Sequence, residues 1–332
     1  MTRAPNLAAL AGGLARGGEA EVLVDAPLRD HGWYRIGGPA DLLVTPRTLA
    51  GAGRIFAMLA DEDVPVLVIG DGSNLLFDDA GFRGVVVRIG RPLSRIRREG
   101  RRLLVEAGAW SPFVARAAAR AGLTGIEHIV GIPGTFGGLV AMNGGSLRKS
   151  VGERIVEVGW LDAGGSHAVS AEDCGFAYRT SRFQRGYGAI GWTVLELDEG
   201  DRGAIRREML RIITARRRKF PLKLPNCGSV FLSSPTLYET IGPPGRAIEE
   251  AGLRGLAIGG AQISPLHGNF IVNTGGASSR DVLALIARAR GAVEARTGVA
   301  MDCEVKYVAP TGRVVPAHIV AGESTAQAGM AA

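Results

Sequence analysis

The sequence predicts a multidomain chain of mixed strands and helices, and three observations carry that expectation. With 332 residues, 46% of them hydrophobic, the chain is long enough for two domains or three small ones, each with a buried core. From residue 42, short apolar runs alternate with stretches of helical period. Near residue 200 this alternation gives way to two amphipathic helical stretches separated by turn-rich chain.

The elements follow in order. Residues 1–24 are rich in Gly and Ala and read as a loose N-terminal segment with some helix. Residues 41–44 read as a strand, 49–60 as a helix and 66–69 as a buried strand. Residues 74–79 read as extended or turning, and 84–89 and 103–107 as further strands. Ser111-Pro112 reads as a helix start, with Ser as the cap and Pro at the first helical position, and that helix ends near Gly122. Residues 154–162 and 193–197 look extended. Ile205, Met209, Ile212 and Ile213 recur at helical spacing with Arg206, Arg207 and Arg211 on other faces, which gives a helix with a solvated arginine side ended by Pro221 and Pro225. Short strands are expected at 229–232 and 269–272. Val282, Leu285, Ile286, Ala289 and Val293 mark a second amphipathic helix that stops at Gly298. Residues 304–308 read as a last strand and 311–332 as a disordered tail.

Composition narrows the function. The net charge of +7 is concentrated in arginines at 91–102 and 202–219, a field that suits anionic ligands. Nucleic acid is not expected as a partner, because aromatic content is 6% and no RNP-like or helix-turn-helix pattern occurs. No apolar run approaches a membrane span, and no compact apolar leader stands at the N-terminus. Cys174, Cys227 and Cys303 are odd in number and form no metal spacing, so free thiols, no metal and a cytoplasmic location are expected.

Two glycine-rich loops are the most informative motifs. Gly70-Asp71-Gly72-Ser73-Asn74-Leu75-Leu76 follows the 66–69 run, and Gly131-Ile132-Pro133-Gly134-Thr135-Phe136-Gly137-Gly138 lies about 60 residues on. Glycines let the backbone approach a ligand, and successive N–H groups in such turns make an anion site. Two loops suggest a ligand with more than one phosphate. Neither loop is a Walker A sequence, and the first is not followed by the helix that a dinucleotide fingerprint requires. Either loop alone fits an ordinary turn equally well.

Six ordered motifs then resemble the UDP-N-acetylenolpyruvoylglucosamine reductases, also called UDP-N-acetylmuramate dehydrogenases. They are Tyr34-Arg35-Ile36-Gly37-Gly38-Pro39-Ala40-Asp41; the first glycine loop; the second glycine loop with Met142-Asn143; Tyr178-Arg179-Thr180-Ser181-Arg182-Phe183; Gly228-Ser229-Val230-Phe231; and Ile248-Glu249-Glu250-Ala251-Gly252-Leu253 with His267-Gly268-Asn269-Phe270-Ile271-Val272-Asn273. Glu304-Val305 completes the set. The resemblance implies an α+β protein with a vanillyl-alcohol-oxidase-type (PCMH-type) FAD-binding fold. Residues 25–95 and 96–200 would form its two subdomains and 201–310 a substrate domain. It implies that NADPH reduces FAD, and that the reduced flavin converts UDP-N-acetylglucosamine enolpyruvate to UDP-N-acetylmuramate, a peptidoglycan precursor. A monomer or weak homodimer is expected.

The resemblance also assigns residues. Arg179 would hold the substrate carboxylate, since a fixed guanidinium binds it with two parallel hydrogen bonds while enolate charge develops. Ser229 matches the proton donor and Glu304 a carboxylate near the flavin. The FAD residues would be Arg35, Ile36, Gly37, Gly38, Gly70, Asp71, Gly72, Ser73, Asn74, Leu75, Ile132, Pro133, Gly134, Thr135, Gly137, Gly138, Met142 and Asn143. The pyrophosphate would lie on the N–H groups of 70–74 and 134–138, with side-chain bonds from Ser73, Asn74 and Thr135. Tyr178, Lys219, His267 and Asn269 are substrate-side candidates; His31 and His128 read as structural and Cys227 as a packed thiol.

The chain departs from the family pattern at Leu232-Ser233-Ser234-Pro235, where many members carry Lys-Asn-Pro, and at Phe220, where a polar residue is common. Its spacing from Arg179 to Ser229 resembles the shorter class, without the insert that carries a substrate-capping tyrosine. A relative that reduces a different enolpyruvyl ether or nucleotide-sugar is therefore the competing expectation, and a flavin- or nucleic-acid-binding module without turnover the different-class one.

Overall fold

The computed structural model describes residues 7–330, with side chains through Glu323. In chain order the elements are α1 (Leu7–Ala15), β1 (Ala20–Pro27), β2 (Pro39–Pro46), α2 (Leu49–Ala60), β3 (Val66–Ile69), β4 (Leu75–Phe77), β5 (Phe82–Arg88), β6 (Ile96–Glu99) and β7 (Arg102–Glu106). There follow α3 (Ser111–Ala121), β8 (Leu123–Thr124), α4 (Phe136–Ala141), β9 (Ile155–Asp162), β10 (Gly165–Ser170), β11 (Ala189–Glu196), β12 (Asp198–Glu199) and α5 (Arg202–Lys219). The last third holds α6 (Pro235–Thr240), α7 (Pro244–Glu250), β13 (Ala257–Ile258), β14 (Ala261–Ile263), β15 (Ile271–Asn273), α8 (Ser279–Thr297), β16 (Lys306–Val308), β17 (Val314–Pro316) and α9 (Ala317–Met330).

The chain divides into two compact units. The first takes the chain up to Ala26, then Asp41–Asp71 and Gly84–Arg216; the second takes Pro27–Ala40, Gly72–Arg83 and the chain from Arg217 on. Residues 25–95, read from the sequence as one subdomain, are thus shared between the units.

In the first unit, one sheet runs β1-β2-β5-β3 and another β10-β9-β11-β7-β6. β3 and β5 pair in parallel, and the β5 valines Val85, Val86 and Val87 are fully buried, as a strand covered on both faces requires. The five-stranded sheet is antiparallel throughout. Thr48 starts α2 by accepting a bond from Gly51 N at 2.9 Å, which satisfies one amide of the first turn. The expected cap of α3 differs. Trp110 holds the cap position, and Ser111 instead donates both its amide and its hydroxyl to the Gly134 carbonyl at 3.0 Å. This ties α3 to the second glycine loop.

In the second unit, β13-β14-β15 form one small sheet and β17-β16-β4 another, with β16 parallel to β4. α8 begins with a Ser278–Asp281 capping box, in which each residue's side chain accepts the other's amide. Its buried stripe of Val282, Leu285, Ile286, Ala289 and Val293 is the stripe read from the sequence. Segment 229–232 makes only an isolated bridge, Phe231 to Cys303, instead of a strand.

The expected disordered tail is corrected. Residues 314–316 form β17 and 317–330 form α9, whose Ala317 and Ala321 are buried in the core of this unit. Small alanines conceal this docking surface from a reading by apolar period. Residues 1–6 and 331–332 of the expected terminal segments lie outside the described residues.

Candidate active site

The first unit brings the start of the first glycine-rich loop, Gly70 and Asp71, to the second loop. Gly70 ends β3 so close to Thr135 that a Cβ there would overlap the threonine Oγ1. Gly70, Thr135, Gly137 and Gly138 line a cavity of about 110 Å³, with Trp160 and Phe183 among its other walls. The two rings stand 5.4 Å apart. No carboxylate lines this cavity. Its glycine walls leave room for backbone to approach a ligand, and its aromatic walls offer flat apolar contact.

The amides expected to cradle pyrophosphate are only partly available. Phe136 N and Gly137 N donate to the carbonyls of Ala109 and Ala107, both at 2.7 Å. They seat α4 on the turn that follows β7, so within 134–138 these two amides are already engaged. Asp71 accepts a bond from Arg88 Nη2 at 3.3 Å, which offsets its charge beside the loop.

Arg179 sits in a tight turn. Ala177 and Thr180 exchange backbone bonds of 3.0 and 3.1 Å, leaving Tyr178 and Arg179 at the tip. Arg179 has φ 54°, a left-handed conformation that costs a non-glycine residue about 1–2 kcal/mol. Its Nη2 donates to the Gly145 carbonyl at 3.1 Å, and its guanidinium carbon lies 5.1 Å from the Tyr178 ring centre. A guanidinium has five N–H donors, enough for this anchor and a bidentate carboxylate together. Such backbone strain persists only where the surrounding structure holds it. Arg35 and Asn143, also singled out by sequence, share it at φ 54° and 42°.

Asn143 is buried, and its side chain is engaged internally. Nδ2 donates to Ala177 O at 2.8 Å and Oδ1 accepts from Gly152 N at 3.0 Å. The expected cofactor residue is thus a strut under the Arg179 turn.

The second unit brings Ser229 and Glu304 together. Val230 carbonyl accepts the Glu304 amide at 2.8 Å, so the residue after Ser229 is paired directly with Glu304. Asn269, expected on the substrate side, builds this arrangement from within. Its carbonyl accepts Val230 N at 2.9 Å, its Oδ1 accepts Phe231 N at 2.8 Å, and its Nδ2 donates to Phe231 O at 2.9 Å. Asn74, expected on the cofactor, donates its Nδ2 to the Glu304 carbonyl at 3.0 Å. Two asparagines therefore brace the two candidate catalytic residues. Ser229 is half-buried, and no hydrogen bond engages its hydroxyl within the unit among the described residues.

Lys306, which the sequence reading missed, follows Glu304 by two positions. Burial lowers its ammonium pKa, and the Glu304 carboxylate opposes that shift. A single lysine in a strand gives no sequence signal of this kind.

Lys219 lies close enough to His267 to act on its charge. Burial lowers the His267 pKa and Lys219 adds to the shift. Its ring lies 5.4 Å from Phe220 and 5.1 Å from Phe270, and Phe220 stacks on Phe270 at 4.9 Å. The unusual Phe220 thus completes an aromatic cluster beside Lys219. Tyr178 is exposed, 58% of its surface being open to solvent.

The segment that departs from the family pattern has a local task. Ser234 accepts Leu237 N at 3.2 Å and caps α6, with Pro235 in its first turn. Gly37 and Gly38 also answer to packing. A Cβ at Gly37 would lie 2.6 Å from Phe77 Cβ, and one at Gly38 would overlap the Asp79 carbonyl oxygen. Cys227 is a packed thiol, donating to Leu75 O at 3.3 Å.

Comparison with known proteins bears on both parts of the chain. A family model described as FAD binding domain matches residues 40–169, and one described as the C-terminal domain of UDP-N-acetylenolpyruvoylglucosamine reductase matches 220–308. UDP-N-acetylenolpyruvoylglucosamine reductase 1 of Corynebacterium glutamicum is 44% identical over 300 residues, 90% of each chain. The reductase of Heliobacterium modesticaldum is 42% identical over 86% of this chain and 90% of its own. The crystal structure of UDP-N-acetylenolpyruvylglucosamine reductase from Thermus caldophilus superposes with a TM-score of 0.73 at 33% identity, covering 87% of this chain and 98% of that one. With this identity across nearly the full length of each, the chain belongs to the UDP-N-acetylenolpyruvoylglucosamine reductase family.

Proposed function

We propose that this protein is the NADPH-dependent flavoenzyme that reduces UDP-N-acetylglucosamine enolpyruvate to UDP-N-acetylmuramate in peptidoglycan precursor synthesis, acting in the cytoplasm. The observation that carries the reading is the backbone bond from Glu304 N to the carbonyl of Val230, the residue after Ser229, in a chain that also sets Arg179 at a strained turn. FAD, when bound, would supply hydride transfer from NADPH to the enolpyruvyl carbon that does not bear the carboxylate. The glycine cradle of Gly70, Thr135, Gly137 and Gly138 would hold the nucleotide.

The chain's own groups do the rest. Arg179 grips the carboxylate of the enolpyruvyl group and stabilises the negative charge that hydride addition pushes onto it. Ser229 gives its hydroxyl proton to the carbon that bears the carboxylate, which completes the saturated lactyl ether. Glu304 would stabilise or re-supply that proton. Lys219, beside His267 and Phe220, lends positive charge for the diphosphate of the substrate.

No helix among the described residues is long and apolar enough to cross a membrane. The test is anaerobic reduction of the yellow holoenzyme by NADPH, followed by a panel of enolpyruvyl ethers. Reoxidation by the UDP-N-acetylglucosamine ether supports the reading. Reoxidation by another ether alone would replace the substrate, and a flavin that NADPH does not bleach would remove the reductase assignment.

A further inference from the structure

We infer that Gln184 is a positioning residue for the enolpyruvyl half-reaction, fixing the strained peptide of Arg179 through two carbonyl bonds. Its Nε2 donates to Arg179 O at 2.8 Å and to Ala141 O at 3.1 Å. A primary amide nitrogen has two hydrogens, and both are used to join the Arg179 turn to the end of α4. Ser181 Oγ donates to the same Ala141 carbonyl at 2.6 Å, and Asn143 Nδ2 holds the other side of the turn at Ala177 O. Arg179 is in a left-handed conformation that its side chain disfavours. Rotation about its N–Cα bond would relax the strain, and that rotation swings its carbonyl to a new position. Gln184 grips that carbonyl oxygen. It is itself exposed, so it contributes no core packing that would otherwise explain it.

The inference rests on the reading of Arg179 as the carboxylate anchor. It predicts that Gln184→Ala slows single-turnover reoxidation of the reduced holoenzyme by UDP-N-acetylglucosamine enolpyruvate by about 10- to 100-fold, the cost of a misplaced substrate-binding group. Gln184→Glu, the same shape with no amide donor facing the two carbonyls, slows it at least as much. Reduction by NADPH and the melting temperature stay close to wild type. Calorimetric binding of the same ether to the oxidised holoenzyme weakens about tenfold. In an Arg179→Ala background, Gln184→Ala adds almost nothing, because the two act through one interaction.

Unchanged reoxidation in both Gln184 variants, equal slowing of both half-reactions, or full additivity with Arg179→Ala would overturn the positioning role while leaving the anchor intact. An Arg179→Ala enzyme that reoxidises at the wild-type rate would instead overturn the functional reading, and the positioning role with it.

Discussion

A serine hydroxyl is a poor acid and a guanidinium a poor leaving point for a proton, so each candidate catalytic residue needs its neighbours to make it useful. For Arg179 the need is geometry. Arg179→Lys keeps the charge but loses the planar fork, and kcat/KM for the enolpyruvyl ether is expected to fall about 10- to 100-fold, the worth of one charge-assisted hydrogen bond. Steady-state kinetics with the ether checks this, and an unchanged kcat/KM would contradict it. His128 carries a separate prediction. It is buried, both ring nitrogens lack a hydrogen-bond partner, and burial lowers its pKa to about 4. Below the unfolded value of 6.5 the unfolded chain takes up a proton that the folded one refuses. Stability is therefore lost as pH falls from about 6.5 to about 4, by up to about 3 kcal/mol, and stays lost below that. Denaturant melts at pH 7 and pH 4.5 should differ less in His128→Phe than in wild type. At this scale the sequence shows which residues belong to the site but not what holds them. Asn74 and Glu304 are 230 positions apart, and no local pattern marks an amide whose partner arrives by tertiary folding.

The elements were largely legible because their periods are strong. α2 covers the residues read as a helix, α8 buries its expected stripe, and α5 buries Ile205, Met209 and Ile212 with Ile213 half-buried. The failures are elements without a strong apolar period. α9 is rich in small residues, and 229–232 pairs by one bridge although it reads as extended. Gly38 has, besides the cofactor contact its motif suggests, a packing role that no local pattern shows. A Cβ at Gly38 would meet backbone atoms of Asp79, Ala80 and Gly81, which cannot move aside as a flexible side chain does. Gly38→Ala is expected to destabilise the second unit by about 1–3 kcal/mol, the usual cost of overpacking. Chemical denaturation measures this, and an unchanged midpoint would refute the packing explanation.

The division of the whole molecule was the least legible feature. Segments 27–40 and 72–83 join the C-terminal unit although they lie inside the N-terminal third. Domain boundaries read from composition assume continuous stretches, and nothing local in either segment marks its distant partners. α9 is part of the same unit. Ala317 N donates to Val305 O at 3.0 Å, and Cys303 N donates to His318 Nδ1 at 2.9 Å, on either side of Glu304. Truncation after Pro316 should therefore lower the unfolding midpoint by the equivalent of at least about 1–3 kcal/mol, the cost of leaving a buried amide unsatisfied. A dispensable tail would leave it unchanged.

Ser229, next to the Val230–Glu304 backbone bond, is the residue assigned to the step in which the substrate is protonated. Anaerobic stopped-flow of Ser229→Ala measures it most directly, because one sample reports both half-reactions through the flavin absorbance. The account predicts reduction by NADPH at close to the wild-type rate and reoxidation by UDP-N-acetylglucosamine enolpyruvate slowed by about 10²- to 10⁴-fold. Reoxidation at the wild-type rate would contradict it.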